Sequence, residues 1–422
     1  MVPTPSSLPT YRPRVVDGQL AQALEAIGAV VIEGPKACGK TETARRAARS
    51  EIRVDTPAAG QAYAVDPALV LDGETPHLLD EWQAEPDLWN DVRHAVDDRQ
   101  TTGQFILTGS SVPRDDVRRH SGAGRFIHVR MRPMTLAEAG FSSRKVSLAD
   151  LLAGGRVATP DPGLSVGDLA ERIVCGGWPG LLALTPPQAM RAVEGYLQDV
   201  CRIDVQRLDG VRRDPAGVRS LISSLARNTA CPVTIEGLAA DAGGAERSMK
   251  TETVRAYLVA LDRLMVSDDL PAWRPGLRSR TRLRGQTVRH MADPSLATAA
   301  LNAGPDALLH DLNLMGLLFE SLVVRDLRVD AEALGGRMFH YRDSLGLEAD
   351  AIIELRGGKW AAFEVKLGSS PAVVDGAAAN LLRLRDRVAG PSPVALGVIT
   401  GSGFGFTRPD GVHVVPIGAL TA

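Results

Sequence analysis

A chain of 422 residues is too long for one hydrophobic core, and at roughly 150 residues per domain it should divide; three domains are expected, at 1–165, 166–290 and 291–422. Hydrophobic residues are 44% and charged residues 23%, with the 42 glycines and 27 prolines dispersed, which excludes a repeat or low-complexity protein. A formal net charge of −2 excludes a protein-wide basic field, so contact with nucleic acid must come from local patches. No apolar run approaches the ~20 residues that span a bilayer, and the start MVPTPSSLPTYRPR has no apolar targeting core; a cytoplasmic protein with no membrane partner is expected. Cys38, Cys175, Cys201 and Cys231 lack metal-type spacing and suit a reducing compartment.

The first predicted elements are the most informative. GAVVIEG, from Gly28 to Gly34, is a short apolar strand that runs into GPKACGKT, and TETARRAARS reads as the helix after it. The stretch from Gly34 to Thr41 matches G-x-x-x-x-G-K-[ST] at every fixed position. Gly34, Pro35, Lys36, Ala37, Cys38, Gly39, Lys40, Thr41 and Glu42 are therefore candidate nucleotide-binding residues. The glycines let backbone N–H groups turn inward on a phosphate at a helix N-terminus, Lys40 brings a point charge to the β/γ oxygens, and Thr41 offers a hydroxyl to Mg²⁺. ATP and Mg²⁺ are the expected ligands. Cys38, inside the loop, is expected to react with alkylating reagents and to be protected by ATP.

PHLLDEWQ is the next buried strand, and it ends on two carboxylates. Asp80 is expected in the Mg²⁺ shell and Glu81 beside the attacking water, the division of labour that phosphoryl transfer needs. An exposed strand end is the plainer alternative. QFILTGSS follows, with Thr108, Ser110 or Ser111 as the polar tip beside the γ-phosphate, of which Ser110 is favoured. In RRHSGAGRFIHVRMRPM a glycine-flexed loop presents Arg125, either to a neighbouring subunit's phosphates in a homo-oligomer or to a surface salt bridge.

These three runs together resemble the bacterial AAA-type ATPases related to the archaeal ATPase superfamily. GGWPG, from Gly176 to Gly180, and YLQDVCRIDV, from Tyr196 to Val205, are similar to later features of that family. The resemblance implies a P-loop α/β ATPase domain acting as an ATP-dependent switch or motor.

In the middle region GGWPG reads as a tight turn between helices. The run from Val218 to Leu270 alternates helix, turn and helix, with Leu225, Leu238, Val254, Leu258 and Leu261 at core spacing; it resembles a winged helix. Thr251 is expected to cap the recognition helix, with Lys250, Glu252 and Arg255 at its exposed start. Asp241, Glu246 and Glu252 leave that face mixed in charge, so protein packing stands beside DNA contact. Arg274, Arg278, Arg280, Arg282, Arg284 and Arg289 follow without an acid, as a phosphate-binding ribbon or a solvated hairpin.

In the C-terminal region NLMGLLFESLVVRDLRV reads as an amphipathic helix carrying Glu320 one turn in. HYRDSLGLEADAIIEL and KWAAFEVKLG are strands whose period of two sets Glu364 and Lys366 on one face. The arrangement resembles the PD-(D/E)xK nuclease signature, without its proline. The resemblance implies a restriction-endonuclease-like α/β domain in which Asp350 and Glu364 hold Mg²⁺, Glu320 adds a ligand and Lys366 steers water or phosphate; Glu348 is a reserve carboxylate. Hard oxygen ligands and a cation are what metal-assisted phosphodiester hydrolysis requires. The combined expectation is a Mg²⁺-dependent ATPase whose nucleotide state gates a nuclease-like module acting on DNA. The alternative is an ATP-controlled protein-interaction switch with an inactive, nuclease-like docking domain.

Overall fold

The computed structural model describes residues 11–110, 121–244, 248–275 and 285–422. Ser111, Glu246, Arg278, Arg280, Arg282 and Arg284 lie outside the described residues. The described residues fall into two compact units, within Met1–Ile32, Gly39–Thr108 and His120–Val129, and within Glu33–Cys38, Gly109–Arg119 and Arg130–Ala422.

The first unit is built from α1 (Val15–Ala26), β1 (Ala29–Glu33), α2 (Lys40–Ala47), β2 (Ser50–Arg53), β3 (His77–Asp80), α3 (Leu88–Arg99), β4 (Phe105–Gly109) and β5 (Phe126–Arg130). The sheet order is β2-β3-β4-β1-β5, with β2, β3 and β4 mutually parallel. Strands covered on both faces read as continuous apolar runs, and β3 and β4 are buried at every residue. α3 buries Leu88, Trp89, Val92 and Val96, the spacing of one helical face. Trp89 stacks on Phe126 with ring centroids 4.0 Å apart, closing the core beside Trp82. The order leaves β4 between β1 and the acidic β3, so a polar residue at the end of β4 adjoins both.

In the second unit, β6 (Ala158–Thr159) precedes α4 (Val166–Cys175) and α5 (Pro186–Asp199). Ser165 opens α4 with a capping box, its hydroxyl accepting from the Asp168 N–H at 3.1 Å while the Asp168 carboxylate accepts from the Ser165 N–H at 2.9 Å. The GGWPG turn that ends α4 is a docking point: the Gly177 N–H donates to Asp293 at 2.9 Å and the Trp178 indole N–H to Ser295 at 2.8 Å. After α5 come α6 (Pro215–Arg227), β7 (Cys231–Pro232), α7 (Ile235–Gly243), α8 (Thr251–Arg263) and β8 (Val288–Arg289), with β7 antiparallel to β8. Leu225, Leu238, Val254 and Leu261 are buried, while Leu258 is only partly so. Thr251 does not cap α8. Lys250 is the cap residue and supplies no side-chain bond, and the Thr251 hydroxyl instead donates to Glu252 at 3.2 Å.

The remainder is α9 (Leu312–Ala333), β9 (Arg337–Arg342), β10 (Glu348–Glu354), β11 (Trp360–Lys366), α10 (Pro371–Arg387), β12 (Ala395–Thr400), β13 (Gly405–Thr407) and β14 (His413–Pro416). The sheet runs β9-β10-β11-β12-β14-β13-β6, so its last edge strand comes from residues ahead of position 165. β9, β10 and β11 are antiparallel, while β11, β12 and β14 are parallel. Trp360, Ile352, Leu381, Leu384, Leu396 and Val398 fill the space between sheet and α10. α9 is not the amphipathic helix expected. It is buried on every side from Ser321 to Ala331, charged residues included. Three of the charges are paired, Arg325 with Asp293 at 2.6 Å and Asp326 at 2.7 Å, and Arg328 with Asp268 at 2.7 Å, while burial holds the Asp330 carboxyl well above its usual range. Glu320 lies more than two turns into this helix rather than one.

Candidate functional site

The glycine loop is shaped by two local demands. Gly39 sits at φ 105°, a left-handed conformation that only glycine adopts freely, and hands the chain to α2, whose first residue is Lys40. Gly34 is required by proximity, since a Cβ there would lie 2.3 Å from the Met131 carbonyl oxygen. Pro35 is buried and its carbonyl accepts from the Cys38 N–H at 3.4 Å; Ala37 is exposed with φ 63°. Lys36 directs its ammonium to Asp204 at 2.5 Å. Lys40 is buried, and Glu42 is turned outward to Arg45 at 2.6 Å. The expected alkylation of Cys38 is overturned: its thiol is fully buried and faces the Met131 carbonyl at 3.9 Å, where a reagent has no access.

Asp80 ends β3 buried, and one of its oxygens accepts from the Thr41 hydroxyl at 2.8 Å and the Thr108 hydroxyl at 2.5 Å. The strand order explains this, for Thr108 is the register partner of Asp80 on β4. Of the three candidate tip residues Thr108 makes this bond; Ser110 is buried one residue past β4. Glu81 follows at φ 55° and heads a short 3-10 turn, Trp82–Ala84, with its carboxylate accepting from Gln83. A glutamate held in left-handed backbone at a strand end is an outlier of the kind that aims a functional side chain. Arg125 is engaged within its own chain, its guanidinium on Asp97 at 2.7 and 3.3 Å.

The second cluster is in the C-terminal sheet. β10 and β11 pair Ala351 with Phe363 and Ile352 with Ala362; one step further sets Asp350 across from Glu364 on the same face. Lys366 is two residues along β11, so its ammonium reaches both carboxylates, Glu364 at 2.7 Å and Asp350 at 3.4 Å. Asp350 also accepts from the Val365 N–H at 2.7 Å. Burial and the nearby Asp350 charge push the Glu364 carboxyl up to about 7, against the opposing pull of Lys366 and Asn380. Glu320 on α9 is raised too, first by burial and then by Asp350. The Lys366 ammonium is held above its ordinary value because Asp350 and Glu364 together outweigh the burial that would lower it.

Asn380 on α10 is the residue that sequence reasoning missed. Its amide donates to Glu364 at 2.5 Å and to the Glu348 carbonyl at 2.6 Å. Nothing in the sequence marks it, because α10 meets the strands only through the sheet. Glu348 is exposed and directed to Arg342 at 3.7 Å. Among the described residues no group of three or more His, Cys, Asp or Glu side chains is arranged to hold a metal ion. Glu320, Asp350 and Glu364 thus do not form the ready metal cage that was expected; the strand carboxylates are gathered around an ammonium. Their donor chemistry, hard oxygens with one polarising cation nearby, still suits Mg²⁺.

Residues 27–140 match the family described as an AAA domain. Residues 166–307 match a domain of unknown function (DUF8612), and residues 315–420 another (DUF4143). An uncharacterized protein of Mycobacterium tuberculosis and one of Mycobacterium bovis are each 25% identical to this chain over 364 residues, 84% of this chain and 74% of theirs. Among solved structures, the Walker-type ATPase paby2304 of Pyrococcus abyssi aligns over 71% of this chain and 99% of its own, at 13% identity and a TM-score of 0.42. The AAA-domain match supports an AAA-type, ATP-binding ATPase. Among the described residues no helix is long and apolar enough to cross a membrane.

Proposed function

We propose that the chain is a Mg²⁺-dependent ATPase that couples its nucleotide state to a C-terminal nuclease-like module acting on DNA. The observation that carries the first half is the convergence of Thr41 and Thr108 on Asp80. A loop hydroxyl and a strand-end carboxylate side by side are the oxygen donors that Mg²⁺ takes beside a triphosphate. Bound there, the ion supplies charge neutralisation for the phosphate oxygens. Lys40, at the head of α2, adds a second positive charge, and the helix N-terminus favours the anion. Glu81 is set to take a proton from water or to orient it.

The DNA half is supported by Asp350, Glu364 and Lys366 sharing one face of the sheet; a cleft of about 440 Å³ that shares Asn380 with this cluster is lined by Arg383 and Arg387 together with Asp343 and Asp386, and is therefore mixed in charge. The order α6-β7-α7-α8-β8 supports a winged-helix reading, with Lys250 exposed at the cap of α8 and Arg255 exposed within it. The rival, a protein-interaction switch with an inactive docking module, is favoured by one observation: Lys366 bridges the two strand carboxylates. Assembly into homo-oligomers through Arg125 requires its release from Asp97. The deciding experiment measures ATP turnover with and without single-stranded, duplex and branched DNA, and cutting of the same labelled DNAs in Mn²⁺ by wild type and a Glu364→Ala, Lys366→Ala double variant. DNA-stimulated turnover and cutting lost in the double variant are expected. Turnover indifferent to every DNA, with equal or no cutting by both proteins, establishes the switch instead.

A further inference from the structure

The motif YLQDVCRIDV finds no place in the ATPase or nuclease chemistry above, yet its two polar ends meet at the glycine loop. Asp204 is buried, at 5% exposure, and receives the Lys36 ammonium at 2.5 Å. The Tyr196 hydroxyl lies beside the backbone of the same Lys36, and faces Cys38 and Asp204. Residue 36 is thus held by its side chain, with Tyr196 beside its main chain. Lys36, Cys38, Tyr196 and Asp204 all belong to the second unit.

Helix geometry explains how eight residues of separation produce one shared face. In a regular α-helix positions 196 and 204 would point about 80° apart, at ~100° per residue. The segment Val200–Asp204 is instead a π-helical turn, which takes in one extra residue. With that residue absorbed the offset falls to about 20°. π-Turns of this kind are rare and concentrate at functional sites. Tyr196 is itself buttressed: its ring lies 5.3 Å from that of Trp178, whose indole N–H is fixed on Ser295. GGWPG and YLQDVCRIDV, distinct motifs in the sequence, are consecutive supports of one loop residue.

We infer that Asp204 and Tyr196 are positioning residues of the nucleotide site, which fix the first half of the glycine loop by clamping Lys36 so that the loop is preorganised for phosphate. The inference rests on the proposed ATP-binding role of the loop. Donors held in place before the ligand arrives do not have to be ordered at the moment of binding, and affinity follows from that saving. The clamp supplies no group to the phosphate; it acts through residue 36.

Two readouts test it on the full-length chain: hydrogen exchange of the amides from residue 36 to 40, and Kd for ATP and ADP by calorimetry. Asp204→Asn and Tyr196→Phe preserve shape, and each is expected to speed exchange of the loop amides and to weaken both nucleotides, Asp204→Asn about tenfold, the worth of a hydrogen bond to a charged group, and Tyr196→Phe less. In a Lys36→Gln background Asp204→Asn is expected to add no further loss. Leu197→Ala serves as control, because it is buried on the same helix about 100° around from Tyr196, and is expected to lower thermal stability without moving Kd. Unchanged loop exchange in both variants overturns the clamp. So does faster exchange with unaltered Kd, an additive loss in the Lys36→Gln background, or a Leu197→Ala loss of affinity equal to that of Asp204→Asn. A wild-type chain that binds neither nucleotide refutes the ATP-binding role and with it the positioning role, and the exchange data then show separately whether the clamp exists.

Discussion

Asp350 and Glu364 face each other across two antiparallel strands, and both carboxylates reach the ammonium of Lys366, at 3.4 and 2.7 Å. Like charges directly opposite on a sheet face are destabilising, so such a pair is kept only where a cation answers it. Here the lysine supplies that charge from two residues along the same strand. A divalent ion entering the cluster has to share the carboxylates with Lys366, and this competition separates a working metal site from a docking surface that keeps the same residues.

Asn380 is expected to tune that competition. It donates to the Glu364 oxygen that Lys366 does not use, and so orients the carboxylate. Asn380→Ala should weaken Mn²⁺ binding, measured by calorimetry, by about tenfold or more, the usual effect of losing a group that orients a ligand. An unchanged affinity would show that Glu364 needs no such support.

At the glycine loop, Lys40→Ala is expected to abolish measurable ATP binding, since it removes the cation at the head of α2. Glu81→Gln should bind ATP normally and hydrolyse it about 10²- to 10⁴-fold more slowly, the range for a lost general base. Calorimetry and steady-state turnover separate the two; wild-type turnover in both variants removes the assignment.

Thr108 and Ser110 are expected to differ. Thr108→Val deprives Asp80 of one of its two hydroxyl donors and should lower turnover about tenfold, while Thr108→Ser restores it. Ser110→Ala should have the smaller effect. The reverse order would return the sensing role to Ser110.

His290 provides a pH signature of stability. It is buried, its Nδ1 lies 3.2 Å from Ser321 Oγ, and burial, aided by the Arg328 charge, lowers its pKa to about 3. The folded protein therefore resists a proton that the unfolded chain accepts near pH 6.5. The unfolded state binds more protons between about pH 3 and 6.5, so the histidine's contribution is complete above that window and falls with acidification by up to about 1.4 kcal/mol per pH unit. Urea unfolding from pH 7 to pH 4.5 should show this slope in wild type and a shallower one in His290→Gln.

Most of the loop's backbone shape was legible in the chain because its causes are local. Gly39 at φ 105°, the strand before the loop and the helix after it are all set within a dozen residues. Alternation along β11 likewise revealed that Glu364 and Lys366 share a face, since the period of a strand is a property of the backbone. The same reasoning failed on α9, where paired charges are buried and periodicity reports polarity rather than partners. It failed again at Thr251, where the cap lies one residue earlier.

What the amino-acid sequence alone determined is the identity of the phosphate loop, the acidic end of β3 and the carboxylate and lysine positions of β10 and β11, because glycine conformation and strand alternation act over short stretches of chain. Which of those groups meet was decided only by the tertiary structure. Asp204 lies 168 residues from Lys36, Asn380 lies 16 residues from Glu364 on a helix, and Thr108 reaches Asp80 because β4 pairs with β3. Contacts across such distances depend on strand order and helix packing, which the whole core selects and no local pattern encodes.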